Sequence, residues 1–118
     1  MTGPARSLLL ALTLAALVAA CGQPGASPAT PVVVRDFTLD PKVVTVGTAA
    51  ALAVTNEGPT VHNVAVRDAG GSVVASTRDL REGETQSLAI SLPDGEYALI
   101  CTLPGHESLG IKGNLTVR

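Results

Sequence analysis

The stretch Cys101-Thr102-Leu103-Pro104-Gly105-His106-Glu107-Ser108-Leu109-Gly110-Ile111 decides how this chain is read. It sets a thiol and an imidazole on one loop, stiffened by Pro104, which fixes its own backbone angle, and turned at Gly105. A strand pattern, Glu96 to Ile100, leads into the loop, and another, Asn114 to Val117, leads out of it. The only other histidine in the chain is His62. The loop is therefore a rigid turn between strands that carries two of the chain's few soft donor groups.

Working outward, the chain from Pro31 onward consists of short runs rich in Val, Thr and Leu. The expected strands are Val32–Thr38, Val43–Val46, Ala49–Asn56, His62–Arg67, Ser72–Thr77, Glu84–Leu92, Glu96–Ile100 and Asn114–Val117. Breakers separate them at Asp40-Pro41, Gly47, Gly58-Pro59, Gly70-Gly71, Gly83 and Pro93-Asp94-Gly95. No stretch after Pro31 sustains a helical period. Many short strands with turn residues at this spacing predict an all-β fold, a Greek-key antiparallel β-sandwich spanning residues 31–118.

Strand parity then aims the candidate donors. His62, Val64 and Val66 share one face, while Asn63, Ala65 and Arg67 share the other. Tyr97, Leu99 and Cys101 share a face, as do Ile111, Leu115 and Val117. His62 and Cys101 are thus expected to point into the space between the sheets, at one end of the sandwich. With one Phe, one Tyr and no Trp, the core there is built from Val, Leu, Ile and Ala.

The N-terminal segment has a different character. Arg6 precedes an apolar run, Ser7 to Ala20, that is too short for a comfortable membrane span of roughly 20 residues and ends in small residues. Residues 1–20 therefore read as a signal peptide. Leu17-Val18-Ala19-Ala20-Cys21-Gly22 resembles the lipobox of bacterial lipoproteins, which implies acylation of Cys21 and a lipid anchor on the extracytoplasmic face of the membrane. An ordinary signal peptide followed by a chance cysteine is the alternative. Residues 21–30, rich in Gly, Pro and small side chains, form a flexible tether reaching about 30 Å when extended.

If Cys21 is lipidated, Cys101 is left as a lone thiol in an exported domain, which asks for an explanation. Net charge is −2, with eight basic and ten acidic residues, so no basic surface invites nucleic acid. Taken singly, each candidate has an ordinary explanation: Cys101 as a small buried hydrophobe, His106 as an exposed loop residue, His62 as a satisfied core histidine. Taken together, one thiolate and two imidazoles are the trigonal donor set of an electron-transfer copper site.

The order His62-Asn63, then Cys101-x-x-Pro104-Gly105-His106, resembles the cupredoxin family of blue (type 1) copper proteins, the group of azurin, plastocyanin and auracyanin. The resemblance extends to Arg35-Asp36-Phe37 before the proline turn and to Leu92-Pro93-Asp94-Gly95-Glu96-Tyr97 before the cysteine. It implies one copper ion held by His62, Cys101 and His106. It also implies that Asn63 and Leu103 donate backbone N–H groups to the sulfur, and that the Asn63 side chain ties the ligand loop to its neighbouring strand. Tyr97 is expected to form a tyrosine corner, its hydroxyl bonding backbone a few residues upstream. Leu103, Pro104 and Leu109 are expected to rim the exposed edge of His106.

One position departs from the family pattern. Where small cupredoxins usually carry an axial methionine, this chain has Ile111, or Gly110 if the loop is read one shorter, and its only methionine is Met1. The Val61 carbonyl is the remaining candidate for a weak axial contact. The expected function is a monomeric, membrane-tethered one-electron carrier serving redox partner proteins. A copper-delivery protein and a metal-free structural sandwich are the alternatives, and zinc with a water also fits the donor set. An enzyme is not expected, because a second copper centre needs further histidines; Glu107 is expected to be solvated.

Overall fold

The structure is a computed structural model that describes residues 1, 3 and 27–118. Cys21, the tether up to residue 26 and nearly all of the expected signal peptide lie outside the described residues. From Thr30 the chain forms two sheets. The first contains β1 (Thr30–Arg35), β2 (Thr38–Asp40), β4 (Ala49–Asn56) and β7 (Thr85–Ser91), in the order β2-β1-β4-β7. The second contains β3 (Val43–Val46), β5 (Ala65–Arg67), β6 (Val73–Ser76), β8 (Gly95–Ile100) and β9 (Lys112–Val117), in the order β3-β9-β8-β5-β6.

Alternation fixes which side chains lie between the sheets. Val32 and Val34 of β1, Leu52 and Val54 of β4, and Leu88 and Ile90 of β7 are buried from one side. Val44, Val46, Leu99, Leu115 and Val117 meet them from the other. Each such aliphatic side chain contributes about 1.5–3 kcal/mol on full burial, so this core rests on the number of its members rather than on large aromatic anchors. Tyr97 forms the expected corner: its hydroxyl donates to the Pro93 carbonyl, four residues upstream, at 2.9 Å.

The sandwich is as expected, but its sheets are mixed rather than purely antiparallel. β1 runs parallel to β4, and β3 runs parallel to β9. β3 crosses to the opposite sheet between β2 and β4, and that excursion supplies the long connection that a parallel pair requires. Three local differences bear on function. The expected strand Val32–Thr38 is broken at Asp36-Phe37, where Phe37 takes a left-handed φ of 61° and the chain reverses into β2. The expected strand His62–Arg67 retains regular pairing only over Ala65–Arg67, and His62 makes an isolated bridge to Leu80. One helical turn, α1 (His106–Leu109), forms inside the loop between β8 and β9.

Candidate metal centre

His62 is presented by a loop that folds around one amide. Asn56, fully buried at the end of β4, donates from Nδ2 to the Thr60 carbonyl at 2.7 Å and to the Leu80 carbonyl at 2.9 Å. Its Oδ1 accepts the Gly58 N–H at 2.9 Å. A buried amide left unpaired would cost about 1–3 kcal/mol, so these bonds define the shape of residues 57–61. His62 is then pinned by two backbone bonds to Leu80: its N–H donates at 3.0 Å and its carbonyl accepts at 2.7 Å.

Cys101 and His106 are presented by a loop that bonds mostly to itself. The Cys101 N–H donates to the Ile111 carbonyl, closing the base of the loop. The His106 N–H donates to the Leu103 carbonyl at 3.1 Å, and the Ile111 N–H donates to the His106 carbonyl at 3.1 Å. Gly105 and Gly110 bracket α1 with φ of 80° and 131°. Gly110 is needed for a second reason, because a β-carbon there would collide with the carbonyl oxygen of Phe37. The ligand loop thus touches the β1–β2 turn directly.

The two arms meet at one pole of the sandwich. His62 Nδ1 lies 3.1 Å from His106 Nδ1, and Cys101 Sγ lies 3.6 Å from His106 Nδ1. All three donor atoms fall within 4.8 Å of one another. Metal–nitrogen and metal–sulfur bonds of about 2.0–2.3 Å, opened to roughly 100–120°, bring donor pairs to about 3.1–3.8 Å, so the closest approaches match a shared ion. Two ring nitrogens this close also need a cation or a shared proton between them, since two bare lone pairs repel. His62, Cys101 and His106 are therefore positioned to hold one metal ion. His62 and Cys101 are buried, and His106 is partly exposed.

Around the donors lies a layer of polar and aromatic contacts. Asn63 spans from its own segment to the ligand loop: its Oδ1 accepts the Thr102 N–H at 2.9 Å, and its Nδ2 donates to Thr102 Oγ1 and to Asp79 Oδ1, both at 2.8 Å. The side-chain tie expected of Asn63 is present in this form. Neither the Asn63 nor the Leu103 N–H contact to sulfur appears among the described residues; Leu103 instead serves the loop through its carbonyl. Ile111 is fully buried where the loop enters β9.

Glu107 is not simply solvated. Arg67 of β5 grips it with two bonds, Nη1 to Oε2 at 3.0 Å and Nη2 to Oε1 at 2.7 Å, tying α1 back to the sheet. This hydrogen-bonded ion pair holds the Glu107 carboxyl below its ordinary pKa and raises that of Arg67. Parity placed Arg67 on the face opposite His62 but could not show what it would meet across the sheet.

Asp36 and Phe37, from the Arg35-Asp36-Phe37 turn, also touch the site. Asp36 Oδ1 lies 3.3 Å from His62 Nε2 and accepts the Thr60 N–H at 3.4 Å. Partial burial pushes the Asp36 carboxyl up, but the bonds from His62 and Thr60 outweigh it and hold the group below its usual value. The Phe37 ring stands edge-on to both imidazoles, with centroids 6.0 Å from His62 and 5.6 Å from His106. The signal for both was the unusual Asp-Phe pair ahead of a proline turn. Nothing local in it points to a histidine 26 residues further on.

A cupredoxin-like domain family model matches residues 8–117 of the chain. Among solved structures, dithionite-reduced auracyanin from the photosynthetic bacterium Roseiflexus castenholzii is similar with a TM-score of 0.70. The match is 22% identical and covers 80% of this chain and 99% of that one. A mutant plastocyanin of fern, solved oxidised and reduced, is 30% identical, with 75% of this chain and 100% of that one covered and a TM-score of 0.62. A Cu-containing nitrite reductase from Thermus scotoductus SA-01 is 22% identical over 76% of this chain, with a TM-score of 0.60, but only 22% of its own chain is covered. No curated protein gives a significant sequence match.

Proposed function

The chain belongs to the cupredoxin-like domain family, and from that membership we propose that it is a one-electron carrier with a single type 1 copper held by His62, Cys101 and His106. When bound, copper supplies the Cu(II)/Cu(I) couple. The observation that carries this reading is the convergence of the soft Cys101 thiolate and both imidazoles of the chain within 4.8 Å. Similar structures named for reduced auracyanin and for oxidised and reduced plastocyanin support the redox role.

The chain's own residues have definable parts in this activity. Burial of His62 and Cys101, with the Phe37 ring standing against both imidazoles, keeps water from the donors. The self-bonded loop and the Asn63 and Arg67–Glu107 ties hold the donors in one arrangement, so little has to move when an electron arrives or leaves. Partly exposed His106, with Leu103, Pro104 and Leu109 as its apolar rim, is the port towards a redox partner. Ile111 offers no donor atom, so a held ion would lack the thioether that a methionine there would supply, which would disfavour the more highly charged state and raise the reduction potential; the Val61 carbonyl would be a weak oxygen donor. Asn63 and Leu103 act on the site by fixing the loop.

Both histidines of the chain belong to the one cluster, which favours a carrier over an enzyme with a second copper centre. For location, we assign the exported, lipid-anchored form with Cys21 acylated, a reading that rests on the sequence alone. Adding Cu(II) to the purified domain tests the function. An intense blue or green colour that bleaches with ascorbate and returns with an oxidant supports the carrier. Colourless Cu(I) binding with transfer to an acceptor replaces it with delivery, and no binding leaves a structural sandwich.

A further inference from the structure

The histidine donor buried deepest in this site is backed by a carboxylate. Asp36 sits at the reversal between β1 and β2, where the positive φ of Phe37 sends the chain back on itself. That turn brings the Asp36 carboxylate against the loop leading to His62, at 3.3 Å from Nε2. The loop makes room for it at one residue. A β-carbon at Gly58 would stand 2.6 Å from Asp36 Oδ1 and 2.9 Å from the Asp36 nitrogen, so any side chain there would evict the carboxylate. The opposing loop therefore carries glycine where the carboxylate must fit.

The chemistry follows from what each atom can do. An ionised carboxylate only accepts, so the proton of the His62 ring lies on Nε2. A neutral imidazole protonated at Nε2 has its lone pair on Nδ1, the atom that faces His106 Nδ1 at 3.1 Å. An anion on the outer nitrogen also increases electron donation from the inner one. His62 is fully buried and flanked by Phe37, which strengthens the coupling. The Asp36 side chain is 38% exposed, which weakens it and puts the effect at the low end of the ordinary 10–100-fold range for such partners.

We propose that Asp36 is a positioning residue for the metal centre, which fixes the His62 tautomer with Nδ1 bare and tilts the site towards Cu(II). This rests on the copper reading above, and it opposes the effect assigned to Ile111, so the potential is set by two residues pulling in opposite directions. The test joins a metal-free and a metal-loaded measurement. In the metal-free domain, nitrogen-15 NMR of the histidine rings is expected to find His62 protonated at Nε2, and Asp36→Ala is expected to lose that preference. In the copper-loaded domain, Asp36→Asn is expected to lower the preference for Cu(II) over Cu(I) about tenfold, an upward shift of about 59 mV for one electron. Gly58→Ala, which leaves the carboxylate in the chain but displaces it, is expected to shift the potential in the same direction.

An unchanged potential in folded, blue Asp36→Asn would overturn the proposal, as would a His62 ring protonated at Nδ1 in the metal-free wild type. A wild-type chain that took up no copper would sink the carrier reading instead, while the NMR result would still decide whether Asp36 fixes His62.

Discussion

The two arms of the metal centre are built in opposite ways. The His62 arm depends on partners remote in sequence: Asn56 behind it, Leu80 beside it and Asp36 beneath it. The Cys101–Ile111 arm is closed by its own backbone, through Leu103, His106 and Ile111, and is tied to the sandwich by Asn63 and Arg67. The first arm is therefore part of the folded core, and the second is a local unit mounted on it. Damage to the packing behind the first should cost more stability than damage to the ties of the second, while a change at a donor or its direct partner on either arm should alter the metal chemistry.

Cys101→Ser gives the largest expected effect and falls wholly on the second arm. Replacing the thiolate should abolish the intense visible absorption of the copper-loaded domain while leaving the metal-free fold intact by circular dichroism, since serine is close in size. Retention of the blue colour would remove sulfur from the account.

Asn56→Ala strikes the first arm. It leaves the Thr60 carbonyl and the Gly58 N–H without their partner and the Leu80 carbonyl with only the His62 N–H, and should lower the stability of the metal-free domain by about 2–3 kcal/mol in urea unfolding. Glu107→Gln, which loosens the tie on the loop arm, should cost less stability than this. The contrast between the arms fails if the order is reversed.

Ile111→Met sharpens the chemical half of the comparison. Supplying a thioether at position 111 should favour Cu(II) and lower the reduction potential, by about 59 mV if the affinity ratio changes tenfold. A rise, or no shift in protein film voltammetry, would show that position 111 does not bear on the metal's oxidation state in the way proposed.

The smallest expected effect lies at the exposed outer edge of the His62 arm, beyond Asn56 and Leu80. Glu84 accepts from the Arg81 N–H at 2.7 Å and from Arg78 at 2.9 Å, and these bonds hold its carboxyl below the ordinary value of 4.5. A carboxylate whose pKa is lower in the folded chain adds stability above its unfolded value and loses it as the pH falls through the folded one. Wild type should therefore be slightly more stable than Glu84→Gln at neutral pH. That margin should shrink as the pH drops below about 4.5. A margin that is constant down to strongly acid pH would remove the pair from the stability account.

The same contrast explains what was legible in the sequence. The turn of the loop arm could be read, because Pro104 and Gly105 carry their geometry locally, but its helical turn over His106–Leu109, the bonding of Leu103 and the tie to Glu107 could not. Strand parity aimed His62 and Cys101 inward correctly, since a period of two assigns faces without knowledge of neighbours. It did not reveal the parallel pairings of β1 with β4 and β3 with β9, because facing says nothing about which strand lies alongside. Asp36 and Asn56 escaped for the same reason. A short polar residue at a turn or a strand end looks ordinary until the fold brings its partner to it. Glu107 looked solvated because Arg67, its partner, lies on a different strand.

The central claim is that the fold itself sets three side chains around one ion and keeps them there in both oxidation states. X-ray absorption at the copper edge, recorded on the oxidised and then the ascorbate-reduced domain, tests it most directly. The account predicts one sulfur and two imidazole nitrogens in both spectra, with nearly unchanged distances. Loss of an imidazole on reduction, or a shell without sulfur in either state, would contradict it.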